Sequence, residues 1–316
     1  MNEPAAVRPK ICYIGGWGRS GSTILGKILG QFDGFVDVGE TKYLWGVLRN
    51  PQWRCGCGEL MTACPFWSAV VSTSTAANGP MDLASTDVLA HSSERFRRIG
   101  ALWRNSRRVS RTQPAIERHL GGLYASIAEV SGARVIVDTS KTPSWSLIAS
   151  GVEDVEVYVV HLVRDPRAVA FSWSRVRPSP GGIAGENQET CSTSRSALHW
   201  VGNNVGLATA SRHVVGASRY LRVRYEDFVS SPEETVLEIV EFLGEQPIGN
   251  PFTSAARAEL QPTHNASGNP SRFKSGEIEL VPDEEWRTLL PSGARNVTLA
   301  IAGVAMPSMG YRPRLK

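Results

Sequence analysis

The sequence predicts a three-layer α/β domain in which a mainly parallel sheet is covered by helices on both faces. Three observations carry this expectation. Short runs of apolar, largely β-branched residues recur along the chain and are too uniformly apolar to leave one face in water. Segments with apolar residues at helical spacing separate them, the alternation that builds parallel crossovers. The first run ends in a glycine-rich loop that leads into a helix, a pattern that presents a ligand site at the carboxyl end of the sheet.

Taken in order, Lys10–Gly16 (KICYIGG) reads as the first strand, and Ile24, Leu25, Ile28 and Leu29 set a helix over Ser22 to Phe32. Phe35, Val36 and Val38 form a second apolar run. Leu83–Val130 is mostly helical by pattern, with Arg95, Arg97, Arg98, Arg104, Arg107 and Arg108 as a solvated basic face. Arg134–Asp138, Val155–Val163 and Tyr220–Arg224 are further strands. Pro178–Arg195 (PSPGGIAGENQETCSTSR) lacks periodicity and reads as a mobile loop and candidate lid. Gln246–Glu279 reads as irregular, followed by a helical pair at Asp283–Leu290 and Ala294–Val304. The expectation is one domain over 1–316 with a helical insertion around 83–130 and an irregular segment over 246–316.

With 316 residues, 41% hydrophobic and 20% charged, the chain has enough apolar material for a core and too few charges to read as disordered. The net charge of +4 is scattered, so nothing resembles a nucleic-acid-binding arm or a membrane-surface patch. Met1–Lys10 lacks the apolar core of a secretory signal, and no stretch approaches the ~18–20 apolar residues that span a bilayer. A cytoplasmic protein without a transmembrane segment is expected. Five cysteines disfavour an extracellular disulfide scaffold.

The loop Gly16-Trp17-Gly18-Arg19-Ser20-Gly21-Ser22-Thr23 has Walker A spacing, but Ser22 stands where nucleotide triphosphatases carry lysine. Backbone amides and the helix N-terminus still stabilise an anion. The cation that holds β- and γ-phosphates is missing, so a single 5′-phosphate bearing a transferable group fits better than ATP. A second constellation runs from Leu162 to Ser174. Arg164 ends a strand, and Ser172 lies about two helical turns on, so both can face one crevice as a second anion site. Asp165 and Pro166 read as helix-start residues.

These paired motifs resemble sulfotransferases that use 3′-phosphoadenosine 5′-phosphosulfate (PAPS) and release adenosine 3′,5′-bisphosphate (PAP), a likeness that covers Lys10 to Phe228. The resemblance implies a P-loop-type fold in which Arg19, Ser20, Gly21, Ser22 and Thr23 hold the 5′-phosphosulfate. It implies that Arg164 and Ser172 hold the 3′-phosphate, and that Tyr225, in LRVRYEDF, lies near the adenine. Glu40, after the second apolar run, resembles the glutamate base of the protein-tyrosine and carbohydrate branch, a role a carboxylate fills when apolar surroundings raise its pKa. Lys141, directly after a strand, resembles the lysine that balances charge on the departing phosphate. Arg272 lies in a late basic segment, His264–Lys274, that resembles the loop closing over the 3′-phosphate, although it departs from the R-K-G pattern of the cytosolic branch.

The implied partner is a hydroxyl-bearing acceptor, a small molecule, carbohydrate or lipid, and the transfer requires no metal. A P-loop kinase using ATP is the alternative, and the absent lysine stands against it. A catalytically idle nucleotide binder is a third reading, which Glu40 and Lys141 oppose. His161 and His199 read as structural. Cys55, Cys57 and Cys64 form a C-x-C-x₆-C cluster with no evident fourth ligand, leaving zinc, a local disulfide and packed free thiols open. Trp53, Phe66 and Trp67 around it could shape an acceptor pocket.

Overall fold

The computed structural model describes residues 8–80, 82–93, 114–176, 178 and 187–313. Its centre is a five-stranded, all-parallel sheet in the order β2-β3-β1-β4-β5: β1 is Lys10–Gly15, β2 Phe35–Gly39, β3 Val135–Lys141, β4 Glu156–Val163 and β5 Tyr220–Arg224. Each expected strand is present. β1 buries Ile11 and Tyr13 on one face and Cys12 and Ile14 on the other, which is why its sequence is apolar throughout. One face is covered by α1 (Ser22–Leu29) and the helix Pro232–Phe242. The other is covered by α2 (Leu44–Arg49), α3 (Pro65–Asn78), α4 (Leu83–Ser93), α5 (Pro114–Ser131) and α6 (Pro143–Ser150). The three-layer reading holds.

The expected helical insertion supplies α4 and α5; the arginines from Arg95 to Arg108 lie outside the described residues. In Pro178–Arg195, residues 179–186 also lie outside them, and Thr193–Arg195 belongs to a helix, α8 (Thr193–Gly206), capped by the Ser192 hydroxyl. α7 is Pro166–Ser174.

Two sequence expectations are corrected. Gln246–Glu279 contains a three-stranded antiparallel sheet: β6 (Phe252–Ser254), β7 (Arg257–Leu260) and β8 (Gly276–Glu279). These strands have three or four residues, too few for alternation to register, yet Ala258 and Leu260 of β7 reach the core. Lys141 does not follow β3 but is its last residue.

A long strap, Gln261–Phe273, runs along the outer edge of β2. Ala266 N–H donates to the Val38 carbonyl (3.0 Å), and Glu40 N–H donates to the Ser267 carbonyl (3.0 Å). These bonds cover the carboxyl-terminal end of the edge strand. Buried Asp37 on β2 accepts from Asn265 Nδ2 (3.0 Å) and Thr263 Oγ1 (3.2 Å), with its pKa pushed up to about 6 by burial against these bonds. Among the described residues, no helix is long and apolar enough to cross a membrane.

Glu117, in the first turn of α5, lies against Gly151, where its carboxyl is pushed up to about 7 by burial. A carboxyl raised on folding contributes no penalty below the ordinary value of 4.5 and a growing one as pH rises through 7. Glu117→Gln should therefore gain stability over the parent as pH rises from about 4.5 to above 7, with no gain in acid. Urea unfolding of both proteins across that range checks it; a pH-independent difference would contradict it.

Candidate active site

The chain runs from β1 out to β2 and back to β3, then crosses to β4 on the other side of β1. The strand order reverses at β1, and the crevice beyond its carboxyl end is where open α/β sheets hold ligands. Three sequence-predicted groups meet there: the Gly16–Thr23 loop from β1, Lys141 from β3 and Arg164 from β4. Gly16 N–H donates to the Lys141 carbonyl (2.9 Å), and Arg164 Nη1 donates to the Arg19 carbonyl (3.0 Å). The loop is therefore tied to both neighbouring strands.

Arg19 (φ 70°) and Lys141 (φ 71°) are the two non-glycine residues in the left-handed region among the described residues. Such a conformation costs ~1–3 kcal/mol and persists where surrounding structure over-determines it. Gly21 (φ 87°) precedes α1, whose first turn receives no side-chain cap; its amides face the loop. A Cβ on Gly21 would come within 2.9 Å of the Tyr225 ring, so the tyrosine lies directly over the loop. Ser20 Oγ donates to the Trp17 carbonyl (2.6 Å), Ser22 is buried, and Thr23 Oγ1 accepts from Asn269 N–H (3.2 Å). Arg19 stacks over Trp173 and donates to Gln188.

Bulges set the catalytic candidates opposite one another. β2 steps from Asp37 to Gly39 while β3 advances only from Val137 to Asp138, and β3 then steps from Asp138 to Lys141 while β1 advances from Tyr13 to Gly15. Extra residues at strand ends re-aim the following side chains. Gly39 (φ 72°) allows the first of these turns, and a Cβ there would lie 2.2 Å from Asn265 Oδ1. The outcome is a Lys141–Glu40 ion pair, with Nζ donating to Oε1 and both side chains largely buried. Burial lowers the Lys141 pKa, and the Glu40 carboxylate opposes that shift.

Beneath the pair lies a polar network that sequence reasoning missed. The fully buried Asp138 accepts from Ser140 N–H (2.9 Å), Ser140 Oγ (2.6 Å), Tyr124 Oη (2.7 Å) and Thr41 Oγ1. Trp145 Nε1 donates to the same Thr41 oxygen (3.1 Å), and Lys42 N–H donates to Ser140 Oγ (3.2 Å). Burial raises the Asp138 pKa, and the hydrogen bonds from Ser140, Thr41 and Tyr124 work against it. Thr41 and Ser140 are the chain neighbours of Glu40 and Lys141. An acid at the end of an apolar strand was the available sequence signal.

Arg164 is buried, stacks over the Tyr225 ring (4.2 Å) and pairs with Asp283 (3.0 Å), an acid the sequence did not single out. Its buried Nε has no hydrogen-bond partner among the described residues. Ser172 is buried in α7, which begins as expected: the Asp165 carboxylate caps the Arg167 N–H (2.9 Å) and pairs with that guanidinium, with Pro166 in the first turn. His161 is a core residue between Tyr220 Oη (2.6 Å) and Asn204 Oδ1 (2.8 Å), with its pKa lowered to about 4 by burial. His199 stacks on Trp17 (4.7 Å).

Arg272, expected in a loop closing over the 3′-phosphate, packs into the strap on the Glu40 side. Only 2% exposed, it donates to the carbonyls of Gly268 (2.8 Å) and Arg54 (3.2 Å) and lies over the Trp53 and Phe273 rings. Burial pushes its pKa down to about 10, with Glu40 and Cys55 opposing. This arginine braces the strap from the Glu40 side. A basic segment announces such a residue but not which wall it packs against.

Comparison with known proteins places the chain in a family. The chain is 23% identical over 329 aligned positions to nodulation protein NoeE of Sinorhizobium fredii, covering all of this chain and 69% of that one. It is 27% identical over 171 positions to human carbohydrate sulfotransferase 3, covering 50% of this chain and 34% of that one. The fold matches the sulfotransferase domain from the curacin biosynthetic pathway with a TM-score of 0.52 at 17% identity, covering 96% of this chain and 98% of that domain. Residues 12–247 match the sulfotransferase family profile, a stretch that contains the phosphate-type loop, Glu40, Lys141, Arg164 and Tyr225, and the chain is a member of the sulfotransferase family.

Proposed function

We propose that the sulfuryl donor is PAPS and that the enzyme transfers its sulfuryl group in line to a hydroxyl of a small-molecule, carbohydrate or lipid acceptor, releasing PAP. The observation that carries this reading is the Lys141–Glu40 pair joined to the Gly16–Thr23 loop through the Lys141 carbonyl. A cation and a carboxylate stand together at the mouth of an anion-binding loop, as transfer between a phosphate leaving group and a hydroxyl requires. The likeness to a carbohydrate sulfotransferase supports a sugar among the acceptors.

In this proposal the amides of Gly21, Ser22 and Thr23, with the Ser20, Ser22 and Thr23 hydroxyls and Arg19, hold the 5′-phosphosulfate. Arg164 and Ser172 hold the 3′-phosphate, and Tyr225 flanks the nucleoside. Arg272 acts as a positioning residue behind Glu40. The acceptor oxygen forms a bond to sulfur as the bond from sulfur to the bridging phosphate oxygen breaks. The hydroxyl proton passes to Glu40, and the charge left on the phosphate meets Lys141. The bridging oxygen gives Lys141 a second anionic partner, which releases Glu40 for the proton. No covalent enzyme intermediate is needed, and positioning supplies much of the rate.

Three outcomes follow. Calorimetry in magnesium-free buffer should show PAP binding much more tightly than ATP·Mg does in its own buffer, because the loop lacks the lysine that holds β- and γ-phosphates. Tighter, magnesium-dependent ATP binding would support a kinase instead. Glu40→Gln should lower single-turnover sulfation by about 10²–10⁴-fold with PAP affinity little changed, since the base acts only in the transition state. Near-normal turnover would remove Glu40 as base. The third concerns Asp283, whose partly exposed carboxylate competes with a phosphate for Arg164. Asp283→Asn should tighten PAP binding by up to about 5-fold. Weaker binding would mean that Asp283 orients Arg164 for its ligand.

A further inference from the structure

We propose that Cys55, Cys57, Cys64 and His264 form a structural zinc site that clamps the strap to the body of the enzyme. The sequence offered three thiols without an evident fourth ligand; the fold brings His264 to them from about 200 residues away. The four ligand atoms all lie within 4.8 Å of one another. Cys57 Sγ to Cys64 Sγ is 3.8 Å, Cys64 Sγ to His264 Nδ1 is 3.4 Å and Cys55 Sγ to His264 Nδ1 is 3.9 Å. Zinc–sulfur bonds of ~2.3 Å and zinc–nitrogen bonds of ~2.05 Å at the tetrahedral angle place sulfurs ~3.8 Å apart and sulfur ~3.5 Å from nitrogen. The 3.8 Å Cys57–Cys64 and 3.4 Å Cys64–His264 spacings match those edges, and Cys55 stands slightly further out. A disulfide would bring its sulfurs to ~2.05 Å, and all three thiols are free.

The surroundings are those of a metal site. Arg54 and Leu60 form an antiparallel bridge, Cys55 N–H donates to the Glu59 carbonyl (2.8 Å) and Gly58 N–H to the Cys55 carbonyl (2.8 Å), so Cys55 and Cys57 sit on a tight knuckle. Gly58, at φ 95°, closes it. Backbone amides of Cys57, Glu59 and Trp67 face the sulfurs of Cys55, Cys57 and Cys64 respectively, an outer shell around the cluster. Cys64 is also the N-cap of α3, where the helix favours negative charge. The His264 ring is stacked on Phe66 (4.6 Å, 11°), and its carbonyl accepts from Trp67 Nε1 (2.8 Å), which fixes Nδ1 toward the sulfurs. Three thiolates, neutral histidine and Zn²⁺ sum to one negative charge, and Arg272 and Lys27 lie within electrostatic reach of Cys55 to offset it. Three thiolates and an imidazole suit zinc, and four protein ligands leave no open position, so the role is structural. Its effect is to pin the strap that bonds Glu40, Asp37 and Thr23.

The test is independent of the sulfuryl donor. The full chain, purified under reducing conditions from zinc-replete cells, should carry one zinc per molecule by mass spectrometry of its metals. Cobalt exchanged into it should give the ligand-field and thiolate charge-transfer absorption of a tetrahedral site. His264→Ala should weaken zinc retention by more than the ~10–100-fold that losing an outer-shell contact costs, while His264→Cys should retain the metal. Zinc removal by chelator should lower the thermal midpoint. A metal-free chain whose Cys55, Cys57 and Cys64 react freely with a thiol reagent would overturn the proposal. So would a Cys57–Cys64 disulfide found by peptide mapping in place of metal. Both of those outcomes are read from the unmodified sequence, so poor folding of a variant would not decide the matter.

Discussion

The carboxylate of Asp138 is taken fully out of water, and the rest of the site is arranged around satisfying it. An uncompensated buried charge costs several kcal/mol, so the network has little tolerance for partial assembly. Ser140, Thr41 and Tyr124 must all donate at once, and they come from β3, from the turn after β2 and from α5. Satisfying one acid therefore fixes the ends of two strands against a covering helix. Glu40 precedes Thr41 and Lys141 follows Ser140, so the same bonds set the ion pair that faces the crevice. The strained backbone of Lys141 is tolerable because this network leaves it no cheaper alternative.

Two of the crevice's cations are balanced by carboxylates of the protein. Lys141 pairs with Glu40, Arg164 with Asp283, and Arg19 bonds the neutral amide of Gln188. An anionic ligand reaching Lys141 or Arg164 would exchange one negative partner for another. The Asp283 carboxylate meets one edge of the Arg164 guanidinium, and its buried Nε has no partner among the described residues. The two pairs differ in how firmly they are held. Asp283 is partly exposed and lies on an irregular segment, so it can yield, whereas Glu40 is held between the strap and the Asp138 network and stays beside Lys141.

The parallel core was legible because each of its strands is buried on both faces and so is apolar without interruption. The glycine loop was legible because its chemistry is local: strand, tight turn and helix amides follow one another in sequence. Arg164 stood out as a strand-end residue for the same reason, and Tyr225 through the resemblance that LRVRYEDF carries. What escaped depended on distance or on irregularity. The short β6–β8 strands carry too few residues to show a period, and bulges at the ends of β2 and β3 shift register without leaving a composition signal. Arg272 was visible as a basic residue, but its burial between Trp53 and Phe273 follows from a loop more than two hundred residues away. His264 was invisible as a partner of the cysteines for that reason as well.

The family profile ends at residue 247, yet the edge of β2 is closed by residues beyond it. Without the strap, β2 would present unpaired backbone groups to solvent, and the Glu40 amide would lose its acceptor on Ser267. A long connection held only by backbone bonds along one edge opens locally at low cost. The strap is instead fastened at intervals: Asn265 and Thr263 on Asp37, Asn269 on Thr23, Arg272 on Arg54, and the cysteine–histidine cluster at its start. Those fastenings reach the two places where geometry matters most, the helix that opens behind the phosphate-type loop and the carboxylate beside Lys141. The matched core thus supplies the glycine loop, Lys141 and Glu40, and the later segment fixes Glu40 and the start of α1 against one another.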